Sequence, residues 1–279
     1  MTDRRLHLSF SVLLLALAVT AVPPGHAQQA PFTQGGFNLA PVSEGASDVG
    51  DIDDDGDLDL VVAGNENASR GETTKLYENI DDGAFAEVDA DLAGVVSGTT
   101  DFFDADGDGD LDLLVTGEQG FSPSATLYEN DGSGNFSEAG DAGLAGLQGS
   151  AVAIGDIDGD GAPDLVLAGS NSSYEPSITL YENDGDGTFS AVGDAGLTDV
   201  DPAGLDVADV DDDGDSDLIL TGEDENDNDT ATLYENQGDG SQGYRICATV
   251  ARAGVRDTQC PTRLEAALSP FLRRCYRPV

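Results

Sequence analysis

Aspartate recurs at every second position in the segment Asp51-Ile52-Asp53-Asp54-Asp55-Gly56-Asp57-Leu58-Asp59, which places carboxylates at Asp51, Asp53, Asp55, Asp57 and Asp59. Alternate residues of a tight loop can turn their oxygens to one centre, and Gly56 supplies a bend that other residues resist. Carboxylates brought so close repel one another unless a cation lies between them. A hard ion that takes six to eight oxygens at about 2.3–2.6 Å suits this donor set, which points to calcium. Magnesium prefers few carboxylates and keeps its waters. By analogy with other calcium loops, positions 1, 3, 5 and 9 donate carboxylates and position 7 a backbone carbonyl.

The pattern returns three times. It recurs at Asp104, Asp106, Asp108, Asp110 and Asp112, at Asp156, Asp158, Asp160, Ala162 and Asp164, and at Asp209, Asp211, Asp213, Asp215 and Asp217. The first aspartates are 53, 52 and 53 residues apart, so the loop belongs to a tandem unit. Ala162 replaces aspartate only at position 7, where a backbone oxygen suffices. A polar turn would need one or two such residues rather than carboxylates at positions 1, 3, 5 and 9 of every copy. Up to four calcium ions are therefore expected, one for each of the four loops. Position 12 is Val62, Val115, Leu167 or Leu220, where an EF-hand requires a bidentate glutamate. No EF-hand is present.

Each loop runs into a short apolar stretch ending in glycine: Leu58 to Gly64, Leu111 to Gly117, Leu165 to Gly169 and Leu218 to Gly222. Their length and β-branched content predict strands. A second constant element, Leu76-Tyr77-Glu78-Asn79, recurs at Leu127 to Asn130, Leu180 to Asn183 and Leu233 to Asn236. A Gly-rich turn and a phenylalanine follow in three units (Phe85, Phe136, Phe189), and a further apolar piece such as Ala151 to Ile154 precedes each loop. Each unit thus holds about four short strands. Adjacent Leu and Tyr face opposite sides of a sheet. Both sides are apolar when a sheet is covered on both faces, as in the blades of a propeller. No sustained helical apolar period supports a solenoid of helices.

The loop Asp-x-Asp-x-Asp-Gly-x-x-Asp followed by Leu-x-Val-x-Gly resembles the FG-GAP/VCBS repeat of integrin α-subunit propellers and many bacterial secreted proteins. Gly161-Ala162-Pro163 even carries the letters of that name, and the resemblance covers about residues 35–242. It implies a bladed β fold with calcium in loops between strands, used chiefly for adhesion and for protein or glycan contacts. Integrin-type propellers close with more blades than four repeats supply, so a complete and an incomplete ring both remain open. The expected fold is all-β: a β-propeller-like array of about four four-stranded blades with Asp-rich calcium loops. Gly35-Gly36-Phe37 resembles the end of a preceding unit.

Three segments are expected. Residues 1–27 have the order of a secretory signal peptide: Arg4 and Arg5, an apolar run from Leu8 to Val22, and Gly25-His26-Ala27 before the cleavage point. The run is short for a membrane span. Residues 28–242 form the repeat domain, with units of about 35–88, 89–140, 141–193 and 194–242. Of the chain's 55 acidic residues only Asp3, Asp257 and Glu265 lie outside it, and its only cations are Arg70 and Lys75. Poor binding to nucleic acid and to anionic membranes is expected, since both need basic patches, with no nucleic-acid partner and no membrane insertion after signal cleavage. A salty habitat would screen the self-repulsion of so acidic a surface. Residues 243–279 depart from the pattern with seven arginines and all three cysteines, Cys247, Cys260 and Cys275. Three readings of this tail stand side by side: a frameshifted or truncated reading frame, a basic tail docked on the acidic body, and a processed or anchoring tail.

Both histidines, His7 and His26, fall in the leader, so the remainder has no histidine for triad catalysis or metal ligation. No enzyme is expected. The leading expectation is a secreted or cell-surface calcium-binding protein that adheres to an extracellular protein or glycan, or scaffolds a surface assembly. The alternatives are a non-catalytic domain directing a hydrolase to polysaccharide and a truncated remnant of a larger secreted protein. The segments 65–73, 118–125, 170–178 and 223–230 differ between units, as binding loops can.

Overall fold

The computed structural model describes residues 38–66, 71–81, 84–193, 195–224, 228–236, 238, 246–252 and 255–259. The expected leader, Gly35-Gly36-Phe37, and Cys260 and Cys275 of the tail lie outside these residues. The described part is all-β, in four antiparallel meanders. The first contains β1 (Ser43–Gly50), β2 (Asp59–Asn65), β3 (Glu72–Asp81) and β4 (Ala84–Val88), and the second β5 (Thr100–Phe103), β6 (Asp112–Gln119), β7 (Ser122–Asn130) and β8 (Phe136–Glu138). The third contains β9 (Gln148–Gly155), β10 (Asp164–Ser170), β11 (Pro176–Asn183) and β12 (Phe189–Ala191). The fourth contains β13 (Asp201–Ala208), β14 (Asp217–Glu223), β15 (Asp229–Asn236), β16 (Ile246–Arg252) and β17 (Val255–Gln259). Each meander is one blade, and the Asp-rich loop joins its first strand to its second.

The fourth sheet departs from expectation. Its outer edge is built from the segment read as an atypical tail. Asn236 pairs with Ile246, in the register that Asn79, Asn130 and Asn183 take with Phe85, Phe136 and Phe189. An edge strand presents unpaired backbone groups to any extended chain within reach. Ile246 to Arg252 supplies one through a longer connection, and β17 adds a fifth strand.

The cores lie between blades. Leu76, Val61 and Ala63 of the first blade meet Leu113, Val115 and Tyr128 of the second. Phe103, Leu114 and Leu127 of the second meet Leu165, Leu167 and Tyr181 of the third. Ala153, Val166 and Leu180 of the third meet Leu218, Leu220 and Tyr234 of the fourth. Leu76, Leu127 and Leu180 of the Leu-Tyr-Glu-Asn elements therefore point to the following blade, and Tyr128, Tyr181 and Tyr234 to the preceding one, as strand alternation requires. The tyrosine is more than filler. Its hydroxyl accepts from the Ala40, Ala93, Ala145 and Thr198 amides at 2.9, 2.8, 3.0 and 3.1 Å, fixing the connection that enters its own blade.

Candidate metal centres

The strand that follows each loop opens on the aspartate of position 9, and this residue anchors the loop. Asp59, Asp112, Asp164 and Asp217 are buried. One oxygen of each accepts the position-2 amide: Ile52, Ala105, Ile157 and Val210, at 3.0, 2.9, 2.8 and 3.0 Å. The other accepts the amide of Asn79, Asn130, Asn183 or Asn236, at 2.8, 3.0, 3.0 and 2.8 Å. One carboxylate thus ties the loop's start to its end and to the third strand. Burial pushes the Asp112 and Asp164 carboxyls up to about 6, and the backbone amides that donate to them, two at Asp112 and three at Asp164, pull in the opposite direction.

Position 1 caps the turn from inside. The two oxygens of Asp104 accept the Gly107 and Gly109 amides at 2.8 and 3.1 Å, and those of Asp156 accept the Gly159 and Gly161 amides at 2.8 and 3.1 Å. Asp51 and Asp209 do the same through Asp55 and Gly56, and through Asp213 and Gly214. Such local side-chain acceptance is what short polar residues do at turns. The bend needs two left-handed residues. Position 6 is glycine throughout, with φ of 93°, 100°, 99° and 98°. Position 4 is also left-handed, as Asp54 (57°), Gly107 (76°), Gly159 (80°) and Asp212 (62°), in keeping with the tolerance of aspartate and glycine for that region.

The carboxylates converge. Oxygens of Asp51, Asp53 and Asp59 lie within 4.8 Å of one another, as do those of Asp156, Asp158 and Asp164 and those of Asp209, Asp211 and Asp217. These are positions 1, 3 and 9. In the second loop the converging set is Asp104, Asp106 and Asp108, at positions 1, 3 and 5. Oxygens on opposite sides of a calcium ion are separated by about twice 2.3–2.6 Å, so these spacings fit the ion. Asp55, Asp160 and Asp213 at position 5, and Asp112 at position 9, lie outside the convergent sets. At position 7 the Asp110 carboxylate lies against the glycine of the β7–β8 turn, where a Cβ on Gly132 would meet its Cγ at 2.8 Å.

One atom decides whether a cation fits. Asp53 Oδ1 is buried and has no hydrogen-bond partner, and this carboxylate belongs to the convergent set with Asp51 and Asp59. A buried carboxylate oxygen without a donor is costly, and a divalent ion at the centre of the set is the group that satisfies it. Burial first, and then the charges of Asp55 and Asp59, raise the Asp53 carboxyl above the usual range. Asp158 and Asp211 are raised in the same direction, again chiefly by burial.

Sequence reasoning missed two participants. The glutamate of the constant Leu-Tyr-Glu-Asn element lies near its own blade's loop: burial and then Asp211, Asp217 and Asp213 raise Glu235, and Glu182 contributes to the rise at Asp158. The asparagine of the same element crosses to the preceding blade. Nδ2 of Asn130, Asn183 and Asn236 donates to the position-2 carbonyl there, that of Ile52, Ala105 and Ile157, at 2.8, 2.8 and 2.7 Å. Their recurrence in every unit was the available signal.

These features place a loop of alternating aspartates at the same station of each blade, and the first three loops are held by the blade that follows. The model of the FG-GAP-like repeat matches residues 51–115, 104–167 and 156–220. The chain belongs to the FG-GAP-like repeat family. Each FG-GAP-like match begins on the first aspartate of one loop and ends in the second strand of the next blade. The repeat in sequence is therefore offset from the blade in space, and the asparagine that holds each matched loop (Asn130, Asn183 or Asn236) lies beyond the end of that match, in the third strand of the next blade. Comparison with curated proteins returns no match. Among the described residues no helix is long and apolar enough to cross a membrane.

Proposed function

We propose that this FG-GAP-like array is a secreted, non-catalytic protein that binds calcium in its Asp loops and holds an extracellular protein or glycan on its opposite end. FG-GAP-like repeats are typical of extracellular proteins, where calcium is abundant. In each loop positions 1, 3, 5 and 9 give carboxylates and position 7 its backbone carbonyl. The ion's part is to cancel carboxylate repulsion, so that the β1–β2 type of connection stays rigid. The fold's architecture supports the division of labour: the β2–β3, β6–β7, β10–β11 and β14–β15 loops, which vary between units, lie at the end of each blade away from the Asp loops.

The observation that carries the binding role is a pair of exposed aromatics on adjacent variable loops. Phe121, 70% exposed with φ 73°, and Tyr174, 76% exposed with φ 60°, occupy the tips of the β6–β7 and β10–β11 loops. Left-handed backbone is unfavourable for such bulky residues, and aromatics displayed from rigid elements are what macromolecular interfaces use as anchors. Sequence patterning could not single them out, because the loops share no motif. The test is retention of the protein on immobilised extracellular-matrix proteins and on polysaccharide arrays. Phe121→Ala and Tyr174→Ala should each weaken retention severalfold while leaving calcium-dependent melting unchanged. Equal retention of wild type and both variants would rule out this surface.

A further inference from the structure

The two ends of the array are unlike its interior. The position-2 residue is buried in the first three blades (Ile52, Ala105, Ile157), yet Val210 of the fourth is 53% exposed. Val61, Leu114 and Val166 of the second strands are inaccessible, whereas their counterpart Ile219 is 44% exposed. At the other end, Val49 of β1 is 54% exposed, while its counterparts Phe102, Ile154 and Val207 pack into the clusters between blades. Leu58 beside it is 56% exposed.

These faces are not two unrelated apolar patches. Val210 and Ile219 occupy the leucine-side face that in each earlier blade receives the next tyrosine. Val49 and Leu58 occupy the tyrosine-side face that in each later blade receives the preceding leucine. A contact made three times within one chain therefore ends with one complementary half at each extremity.

We propose that a second copy of this chain joins these halves, with the fourth blade of each copy stacked on the first blade of the other. Head-to-tail contacts generate a ring when the rotation closes. Two four-bladed arrays give eight blades, within the range that propellers adopt. The strongly acidic composition opposes association, and salt screens that repulsion. The dimer is accordingly expected to strengthen with ionic strength. This inference concerns the ends of the array and is independent of the partner-binding face.

The experiment is the solution mass of the full chain in calcium at moderate and high salt, by light scattering and sedimentation, beside Val49→Asp and Ile219→Asp. The wild type should have twice its own chain mass, more completely at high salt. Each variant should be monomeric, and when dilute should melt in calcium at the wild-type temperature, since both positions are exposed in the single copy. A wild type that stays monomeric at high concentration overturns the proposal, as does a dimer that survives both substitutions. A ladder of larger assemblies overturns ring closure. Monomeric variants with lowered melting would show that the chain's own residues cover these faces, which also overturns it.

Discussion

At the scale of single residues the aspartates of one loop are not equivalent. Asp53 carries the buried oxygen without a partner, while the position-7 side chain, where its surroundings are seen at Asp110, lies against a strand turn. Asp53→Ala is expected to remove one calcium from the number bound, counted by isothermal titration, and Asp57→Ala to leave the number unchanged. Asp112 is the more dangerous residue to lose. Its replacement by alanine strands the Ala105 and Asn130 amides, each a buried donor worth about 1–3 kcal/mol, so a loss of about 2–6 kcal/mol is expected in chemical denaturation.

The same residue sets a pH dependence. Folding raises the Asp112 and Asp164 carboxyls from 3.8 to about 6. A raised acid binds more protons in the folded than in the unfolded state between those values, so without metal stability rises as pH falls through that window. Calcium needs the ionised form, and its contribution must shrink over the same window. Melting in chelator should therefore move up from neutral pH towards the window's lower end, while the increment given by calcium declines. An increment that is flat with pH would contradict this.

At the scale of elements, the Leu-Tyr-Glu-Asn strand is the joint of the molecule. At the three interfaces its leucine fills the contact with the following blade, its tyrosine body the contact with the preceding one, its tyrosine hydroxyl holds the entering connection, and its asparagine grips the preceding Asp loop. Leu127→Ala should cost about 2–5 kcal/mol by creating a cavity between the second and third blades. Asn183→Ala removes the bonds to Ala105 and Pro163 carbonyls and should cost about 1–3 kcal/mol. Because Ala105 belongs to the second loop, that substitution should also weaken calcium at a site to which Asn183 contributes no ligand. Titration of the variant against wild type checks it. A defect confined to the third loop would break the proposed coupling.

For the whole molecule, a formal net charge of −44 in 279 residues makes compactness a contest between apolar interfaces and self-repulsion. On the proposed reading calcium acts at the loops, whereas salt acts everywhere. Chelation is expected to lower the melting temperature sharply, and readdition of calcium to restore it. High monovalent salt should recover only part of the loss, because it does not supply ligands to Asp53 and its neighbours. Full recovery by salt alone would mean that the loops need screening rather than a bound ion. As metal binding is linked to folding, the shift should grow with free calcium.

Much of this was legible in one dimension. A loop motif at a constant interval declared the repeat, alternation declared strands, and an apolar residue on each side of those strands declared sheets covered on both faces. These are local consequences of carboxylate chemistry and strand pleat, so the all-β array and the Asp sets required no coordinates. Only the tertiary structure decided what depends on neighbours distant in sequence. It singled out Asp53 by its orphaned oxygen, and it made position 9 the loop's buried anchor rather than one carboxylate among several. It sent Asn130, Asn183 and Asn236 to the loop of the preceding blade, a contact across 78 or 79 residues. It placed Ile246 to Arg252 on an open sheet edge, although the segment lacks the repeat's motif, because a backbone edge selects extended chain rather than sequence. And it distinguished the ends from the interior: Val61 and Ile219 occupy matching places in their blades, and only burial by a following blade separates them.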